Sequence, residues 1–230
     1  MTKKTLVIGA HTDGIGDAVI AMRGELGPSH PRNTLSAPTR EQFDVRDEFS
    51  IGKWIDLHGP FDEIVYSAGV SQLKWVDDIT WRDIDRVYDV NVTGAILVAA
   101  QHRRWYPDHP VRYAVVVSDA AHTPMRGSIA YTTSKAALEM AVRNMGREMA
   151  PLWTVVGVSP GVVEGTGMTR ELAEKIPTFR GWTEDQAREY EGTPPIGRRV
   201  TKREVAETLW FALTGPQALN GSIITINGGK

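Results

Sequence analysis

Short β-branched runs alternate with amphipathic stretches along all 230 residues, and no other feature limits the possible folds as strongly. Leu6-Val7-Ile8 is followed by Ile15 to Leu26, where Ile15, Val19, Met22 and Leu26 recur at helical spacing. The series continues with a weak strand at Asn33–Ala37, a helical stretch near Asp47–Leu57, a strand at Glu63–Tyr66 and a long helical segment from Trp81 to Trp105. Val111–Val117 reads as a fully buried strand and Ile129–Met149 as a helix. Val155–Val158 is a further strand, Lys202–Leu213 a helix and Ser222–Ile226 a last strand. Continuous apolar strands alternating with helices belong to parallel sheets covered on both faces. The pattern therefore predicts an α/β fold, a doubly wound parallel sheet with helices on both sides.

Only Val163 to Arg199 breaks the rhythm, being rich in Gly, Pro, charges and the aromatics Phe179, Trp182 and Tyr190. It is expected to be a small substrate-covering lobe inserted into one domain spanning 1–230, with an aromatic roof over a pocket. Trp75, Trp81 and Trp105 are expected in core or subunit packing.

Composition excludes several function classes. With no cysteine there is no disulfide framework, thiolate zinc site or cysteine nucleophile. The 26 basic and 28 acidic side chains leave a net charge of −2, with no basic field to draw in a nucleic acid or an anionic membrane. Arg103-Arg104 beside Trp105-Tyr106 reads as a helix end. His11, His102 and His109 lack metal-ligand spacing, so no metal is expected. Only Leu6, Val7 and Ile8 precede Gly9 as apolar residues, far fewer than the roughly 7–15 of a secretory signal. The longest apolar run, Ala95–Ala100, falls short of the ~18 residues of a membrane span. A cytoplasmic protein is expected.

In open α/β sheets, ligands bind beyond the carboxyl ends of the strands. Gly9-Ala10-His11-Thr12-Asp13-Gly14-Ile15-Gly16 follows the first strand and opens the first helix, where backbone N–H groups and the helix terminus suit a pyrophosphate. A glycine-rich turn without a ligand is the plainer alternative. Tyr131 and Lys135 stand at i, i+4 near the start of a helix, so the ammonium can stabilise a phenolate. That would bring a tyrosine with a pKa near 10 toward neutrality, where it can exchange a proton. By itself the pair could equally be a surface contact. Ser118 ends the most apolar strand, Ser67-Ala68-Gly69 and Pro160-Gly161 also follow strands, and Asn91, a mediocre helix former, interrupts the long helical segment.

In this order the residues resemble the short-chain dehydrogenase/reductase family over nearly the whole chain. The match runs through the glycine loop, Asp44-Val45, Ser67-Ala68-Gly69, Asn91, Ser118, Tyr131-x-x-x-Lys135, Pro160-Gly161 and a closing Asn220-Gly221 with Asn227-Gly228-Gly229. The resemblance implies a Rossmann-type sheet that binds NAD or NADP and an enzyme that interconverts a small carbonyl compound and a secondary alcohol by hydride transfer. It implies Tyr131 as general acid or base and Lys135 lowering its pKa and binding the nicotinamide ribose. It also implies Ser118 on the substrate oxygen and Asn91 supporting a water that leads from Lys135 to solvent. Cofactor contacts are expected from Gly9, Thr12, Gly14, Ile15, Gly16, Arg40, Asp44, Val45, Ser67, Ala68, Gly69, Tyr131, Lys135, Pro160, Gly161, Val163 and Thr166. A homo-oligomer through the two long helices is also implied, tetramer before dimer. A non-catalytic dinucleotide sensor or scaffold is the alternative, and an epimerase or dehydratase of the extended relatives a third.

Three departures from the family pattern matter. Ile8 replaces the threonine before the first glycine, and four residues separate Gly9 from Gly14 where the family has three. Ser67 stands for the family asparagine, and Thr166 lies one place late. Asp119, an unusual charge after Ser118, has two readings, a contact with substrate or a position facing solvent, and solvent is expected. At the end of the second strand, Ser36-Ala37-Pro38-Thr39-Arg40 offers no acid for a ribose, while Arg40 can pair with a phosphate. NADP is expected over NAD, although Asp13 and Glu41 weigh against it.

Overall fold

The alternation read from the sequence folds into a six-stranded sheet, all of its pairings parallel, in the order β2-β1-β3-β4-β5-β8. The structure is a computed structural model describing residues 2–10, 13–23, 34–183, 185–186 and 194–230. Along the chain these form β1 (Lys4–Ile8), α1 (Ile15–Arg23), β2 (Thr34–Ser36), α2 (Glu48–His58), β3 (Glu63–Tyr66) and α3 (Trp81–Tyr88). A π-helical turn (Asp89–Thr93) leads into α4 (Gly94–Trp105), β4 (Val111–Val116), α5 (Ile129–Met149) and β5 (Trp153–Pro160). The last elements are β6 (Val163–Glu164), α6 (Gly167–Arg180), β7 (Val200–Thr201), α7 (Lys202–Thr214) and β8 (Ile223–Ile226).

Period-two burial explains how one sheet carries two cores. Leu6 and Ile8 of β1, Ile64 and Tyr66 of β3, and Val115 of β4 face α2, α4 and α5, where Ile51, Ile55, Val98, Leu138 and Val142 meet them. The alternate residues Val7, Val65, Ala114 and Val116 face α1 and α7, against Val19, Val205, Leu209 and Trp210. Because both faces are covered, every residue of β3 and β5 is buried, which is why these strands read as continuous apolar runs. Capping fixes several helix starts. Thr80 and Asp83 form a reciprocal box at α3, and Thr201 and Glu204 form another at α7.

Two expectations need correction. The helical segment from Trp81 to Trp105 is three pieces, because the turn at Asp89–Thr93 winds more widely and its inserted residue displaces Asn91 from a regular helical register. The 163–199 segment does contain a strand. Val163 and Glu164 pair with Val200 and Thr201, and α6 fills much of what lies between. Two residues per strand are too few for a period to show in sequence. Trp81 is 76% exposed and Trp105 49% exposed, so neither is a core residue, whereas Trp153 is fully buried.

β1 steps outward to β2 on one side, and the chain returns to β3 on the other. This reversal of direction opens a crevice at the carboxyl ends of β1 and β3. The residues following β1, β3, β4 and β5 all converge there.

Candidate active site

Backbone geometry shapes one wall of this crevice. Gly9 ends β1 with a φ of +84°, and a Cβ on it would lie 2.4 Å from the Ala68 nitrogen. A Cβ on Gly16 would lie 2.6 Å from Ser67 Oγ, so this glycine lets the start of α1 pack against the β3 turn. Ser67 N–H and its hydroxyl both donate to the Ile8 carbonyl, at 2.9 and 2.7 Å, locking the two strand ends together. The short serine thereby does local work where an asparagine was expected from the resemblance. Asp13 adopts a φ of +67°, with its carboxylate held by Arg170 of α6 at 2.9 Å and Lys202 of α7 at 3.6 Å. This pairing answers the objection that an acid in the glycine loop would repel a phosphate. Thr12 lies outside the described residues, as do His11 and Tyr190.

A cavity of about 530 Å³ runs from this turn across the strand ends. Gly9, Gly14, Ile15, Ser67, Ala68, Gly69, Pro160, Gly161, Val163 and Thr166 line it, together with Arg40, Asp44 and Val45. Gly16 is not among the lining residues and contributes through packing alone. Thr166 caps α6, its hydroxyl accepting from Thr169 N–H at 3.1 Å.

Arg46 also lines the cavity and was missed in the sequence. It grips Asp44 in two-pronged fashion, with contacts of 2.6 and 2.9 Å, and Arg40 stands 3.9 Å from the same carboxylate. The Arg46 hydrogen bond holds the Asp44 carboxyl down at about 2. The acid is thus neutralised by one arginine, and Arg40, Arg86 and Arg199 add positive charge to the cavity wall. The signal was available, since Asp44-Val45-Arg46 puts a cation two residues from the acid.

The opposite wall carries Ser118, Tyr131 and Lys135. Ser118 follows β4, and its Oγ accepts the Ala120 N–H at 3.2 Å as the cap of a 3₁₀ turn at Asp119–Ala121. Tyr131 and Lys135 share one side of α5, while Leu138 and Val142 bury the rest of that helix in the core. Lys135 Nζ lies 5.9 Å from the Tyr131 ring centroid. It is buried, donates to the Val116 carbonyl at 3.0 Å, and has further N–H donors on the cavity side. Burial alone lowers its pKa to about 8.

Tyr131 differs from the expectation. Burial pushes its hydroxyl above the usual tyrosine value, the Ser118 hydroxyl works against that, and the Asp119 charge adds to it. Burial of the phenol is the largest influence and sets the net direction, while Lys135 donates to the Val116 carbonyl.

Asn91 is fully buried and does not line the cavity. Its Oδ1 accepts the Val70 N–H at 2.9 Å, and its Nδ2 donates to the Val70 carbonyl at 3.1 Å and to Ser134 Oγ at 2.9 Å. It pins the loop after β3 to α5 from behind. Asp119, expected to face solvent, lines the cavity and is only partly exposed, and burial raises its pKa. Among the aromatics of the 163–199 segment, Trp182 lines the cavity, whereas Phe179 stacks on Trp75 at 4.7 Å and lies outside it.

The cradle fits a dinucleotide. Glycines whose side chains would collide allow close approach, the α1 N-terminus supplies partial positive charge, and a buried ammonium waits at the other end. No helix among the described residues is long and apolar enough to cross a membrane.

Comparison with known proteins agrees with this architecture. Residues 32–230 match a family model described as enoyl-(acyl carrier protein) reductase. The L-xylulose reductase of Caenorhabditis elegans is 31% identical over 182 residues, covering 77% of this chain and 68% of that protein. The L-2,3-butanediol dehydrogenase of Corynebacterium glutamicum is 26% identical over 196 residues, covering 81% and 75%. Among solved structures, a short chain dehydrogenase family protein from Francisella tularensis superposes with a TM-score of 0.81 at 25% identity, covering 99% of this chain and 98% of that one.

Proposed function

The chain belongs to the short-chain dehydrogenase/reductase family, a dinucleotide-dependent oxidoreductase, and on that premise we propose that it reduces a small ketone to a secondary alcohol with Tyr131 as the proton donor. The observation that carries this reading is the meeting of Ser118, Tyr131 and Lys135 on one wall of a cavity whose other wall is the glycine turn. A bound nicotinamide dinucleotide supplies the hydride. The residues do the rest. Ser118 and Tyr131 hold the carbonyl oxygen where negative charge develops, and the Tyr131 hydroxyl gives it a proton. Lys135 binds ribose hydroxyls with its spare donors, and its charge steadies the phenolate that remains. Asn91 is a positioning residue, holding the Val70 loop and Ser134 behind the site.

The raised Tyr131 pKa favours reduction at neutral pH. A phenol whose pKa lies above its usual value stays protonated and ready to donate, whereas oxidation needs the phenolate. Reduction should therefore run at a steady rate from pH 6 to 7, below the Lys135 value of about 8, and the reverse reaction should speed up as the Tyr131 hydroxyl ionises.

NADPH is the cofactor we favour, because Arg40 and Arg46 flank the end of the cavity where an acid would be needed for selective binding of NAD. Arg40→Ala with Arg46→Ala should weaken NADPH binding about tenfold or more while changing NADH little, as read by nicotinamide fluorescence. Segment 163–199 serves as the substrate-covering lobe of a single domain. We also propose a cytoplasmic homo-oligomer, tetramer before dimer, and the exposed apolar residues Ile96 and Trp105 on α4 and Ile129 and Met140 on α5 support association between copies.

Tyr131→Phe is the decisive experiment. We expect turnover of carbonyl compounds to drop by about 10²–10⁴-fold with NADPH still bound. Undiminished turnover in that variant would overturn the assignment.

A further inference from the structure

Beside the reacting groups the cavity is lined by apolar side chains and one carboxylate. Val70, Met125, Leu172, Ile176 and Trp182 provide its hydrophobic lining. Asp119 is the exception. It follows Ser118 directly, sits in the 3₁₀ turn that Ser118 caps, and its charge acts on the Tyr131 hydroxyl. Its Oδ2 approaches Gly161, lying 3.3 Å from where a Cβ on that glycine would stand. Any side chain there would crowd this carboxylate.

Among the described residues Asp119 forms no ion pair within 4 Å. The charged groups that act on it are Lys230 at the C-terminus and His122. His122 is committed elsewhere, its ring nitrogen 2.6 Å from Glu139. The Ala120 N–H also acts on Asp119, and a partly buried carboxylate with no salt-bridge partner within 4 Å gains from a ligand that donates to it.

Resting on the reading above, we propose that Asp119 is a specificity-determining residue that accepts a hydrogen bond from a hydroxyl on the carbon next to the reacting carbonyl, so that the substrates are α-hydroxy ketones and the products vicinal diols. Asp119 lines the same cavity as Ser118 and Tyr131, and its charge acts on the Tyr131 hydroxyl that meets the carbonyl oxygen, which places it beside the neighbouring substituent. The choice of a neutral donor over an ammonium follows from charge. Lys230 already acts on Asp119 and the Lys135 ammonium lines the same cavity, so a further cation would enter against those charges. In the reaction the carbonyl carbon gains a hydride and its oxygen gains the Tyr131 proton. The hydroxyl on Asp119 gains and loses no bond.

Three ketones of nearly equal size test this, each reduced with NADPH: hydroxyacetone, butan-2-one and aminoacetone. Wild-type kcat/KM should favour hydroxyacetone over butan-2-one by about 10- to 100-fold, the range for a hydrogen bond to a charged group. In Asp119→Ala that ratio should collapse to near one, and Asp119→Asn, which keeps an acceptor oxygen, should retain part of it. Binding of propane-1,2-diol and butan-2-ol to the NADP-loaded protein, followed by calorimetry, reads the same preference without turnover. A wild-type ratio near one, a ratio unmoved in Asp119→Ala, or a preference for aminoacetone would each overturn the proposal. If no ketone is reduced but the diol binds preferentially in an Asp119-dependent way, the catalytic reading falls and the recognition stands. If neither turnover nor diol preference is seen, both fall.

Discussion

The two ends of the sheet hold similar buried ionisable groups and use them in opposite ways. At the amino-terminal edge, Glu63 is closed off by Lys3 at 2.6 Å and by the Thr5 hydroxyl at 2.9 Å. Nearby, Asp62 takes the Lys4 N–H and lies 3.1 Å from His109, while His102 accepts the Phe61 N–H at 3.0 Å. At the carboxyl-terminal edge, Lys135 has one backbone carbonyl, Tyr131 has Ser118 beside it, and Asp119 has no counter-charge within 4 Å among the described residues. One edge closes its carboxylates with internal partners, although His102 Nδ1 and Trp153 Nε1 stay without one. The other leaves its polar groups incomplete, which costs stability and makes a ligand the missing partner.

Lys135 and His102 sharpen this contrast because burial depresses both cations by a similar amount, to about 8 and about 4. Lys135→Met should have the largest effect. Catalysis should fall by about 10²–10³-fold, while the unliganded protein should become more stable at pH 7. The sign follows from proton linkage. Below pH 8 both the folded and unfolded states hold the proton, and the folded state bears the full desolvation cost. Between about pH 8 and 10.5 the folded state releases its proton first, so wild-type stability rises with pH there. The gain from Met, at most about 3 kcal/mol from this shift and reduced by the lost Val116 contact, should shrink by pH 10.5 in urea titrations. Destabilisation at pH 7 would show that Lys135 is as well satisfied as the groups at the other edge.

His102→Gln probes the amino-terminal edge. The histidine stays neutral when folded, so the unfolded chain binds more protons between about pH 4 and 6.5 and wild-type stability climbs through that window. The glutamine variant should lack up to about 3 kcal/mol of that climb, with turnover per folded molecule unchanged. An identical acid limb in both proteins would remove His102 from the account. Glu63→Gln should have the smallest effect, about 1–3 kcal/mol of stability, because Lys3 is partly exposed and can be resolvated. Loss of activity without loss of stability in that variant would break the division between the two edges.

The same division governs what could be read from the sequence. The strands were legible because covering both faces forces unbroken apolar runs, as in Val155–Val158. Tyr131 and Lys135 were legible because a helix fixes the meeting of i and i+4. Asn91 was noticed as a poor helix former, but its displacement from the cavity depends on a π-helical turn that no residue spacing announces. Asp119 was assigned to solvent because its surroundings include Gly161 and Lys230, which only the folded chain brings near. The expected lowering of the Tyr131 pKa is likewise outweighed, since a two-residue argument omits the burial of the phenol itself.

The 21-residue span of α5 separates chemistry from taste. Tyr131 and Lys135 ride on a rod anchored in the core by Leu138, Val142 and Met145, so the distance between them is as fixed as the core itself. Leu172, Ile176 and Trp182 hang from a different part of the chain, tied to it mainly by α6 and a two-residue ladder. Evolution could reshape that hood for new molecules and leave the proton-handling rod untouched.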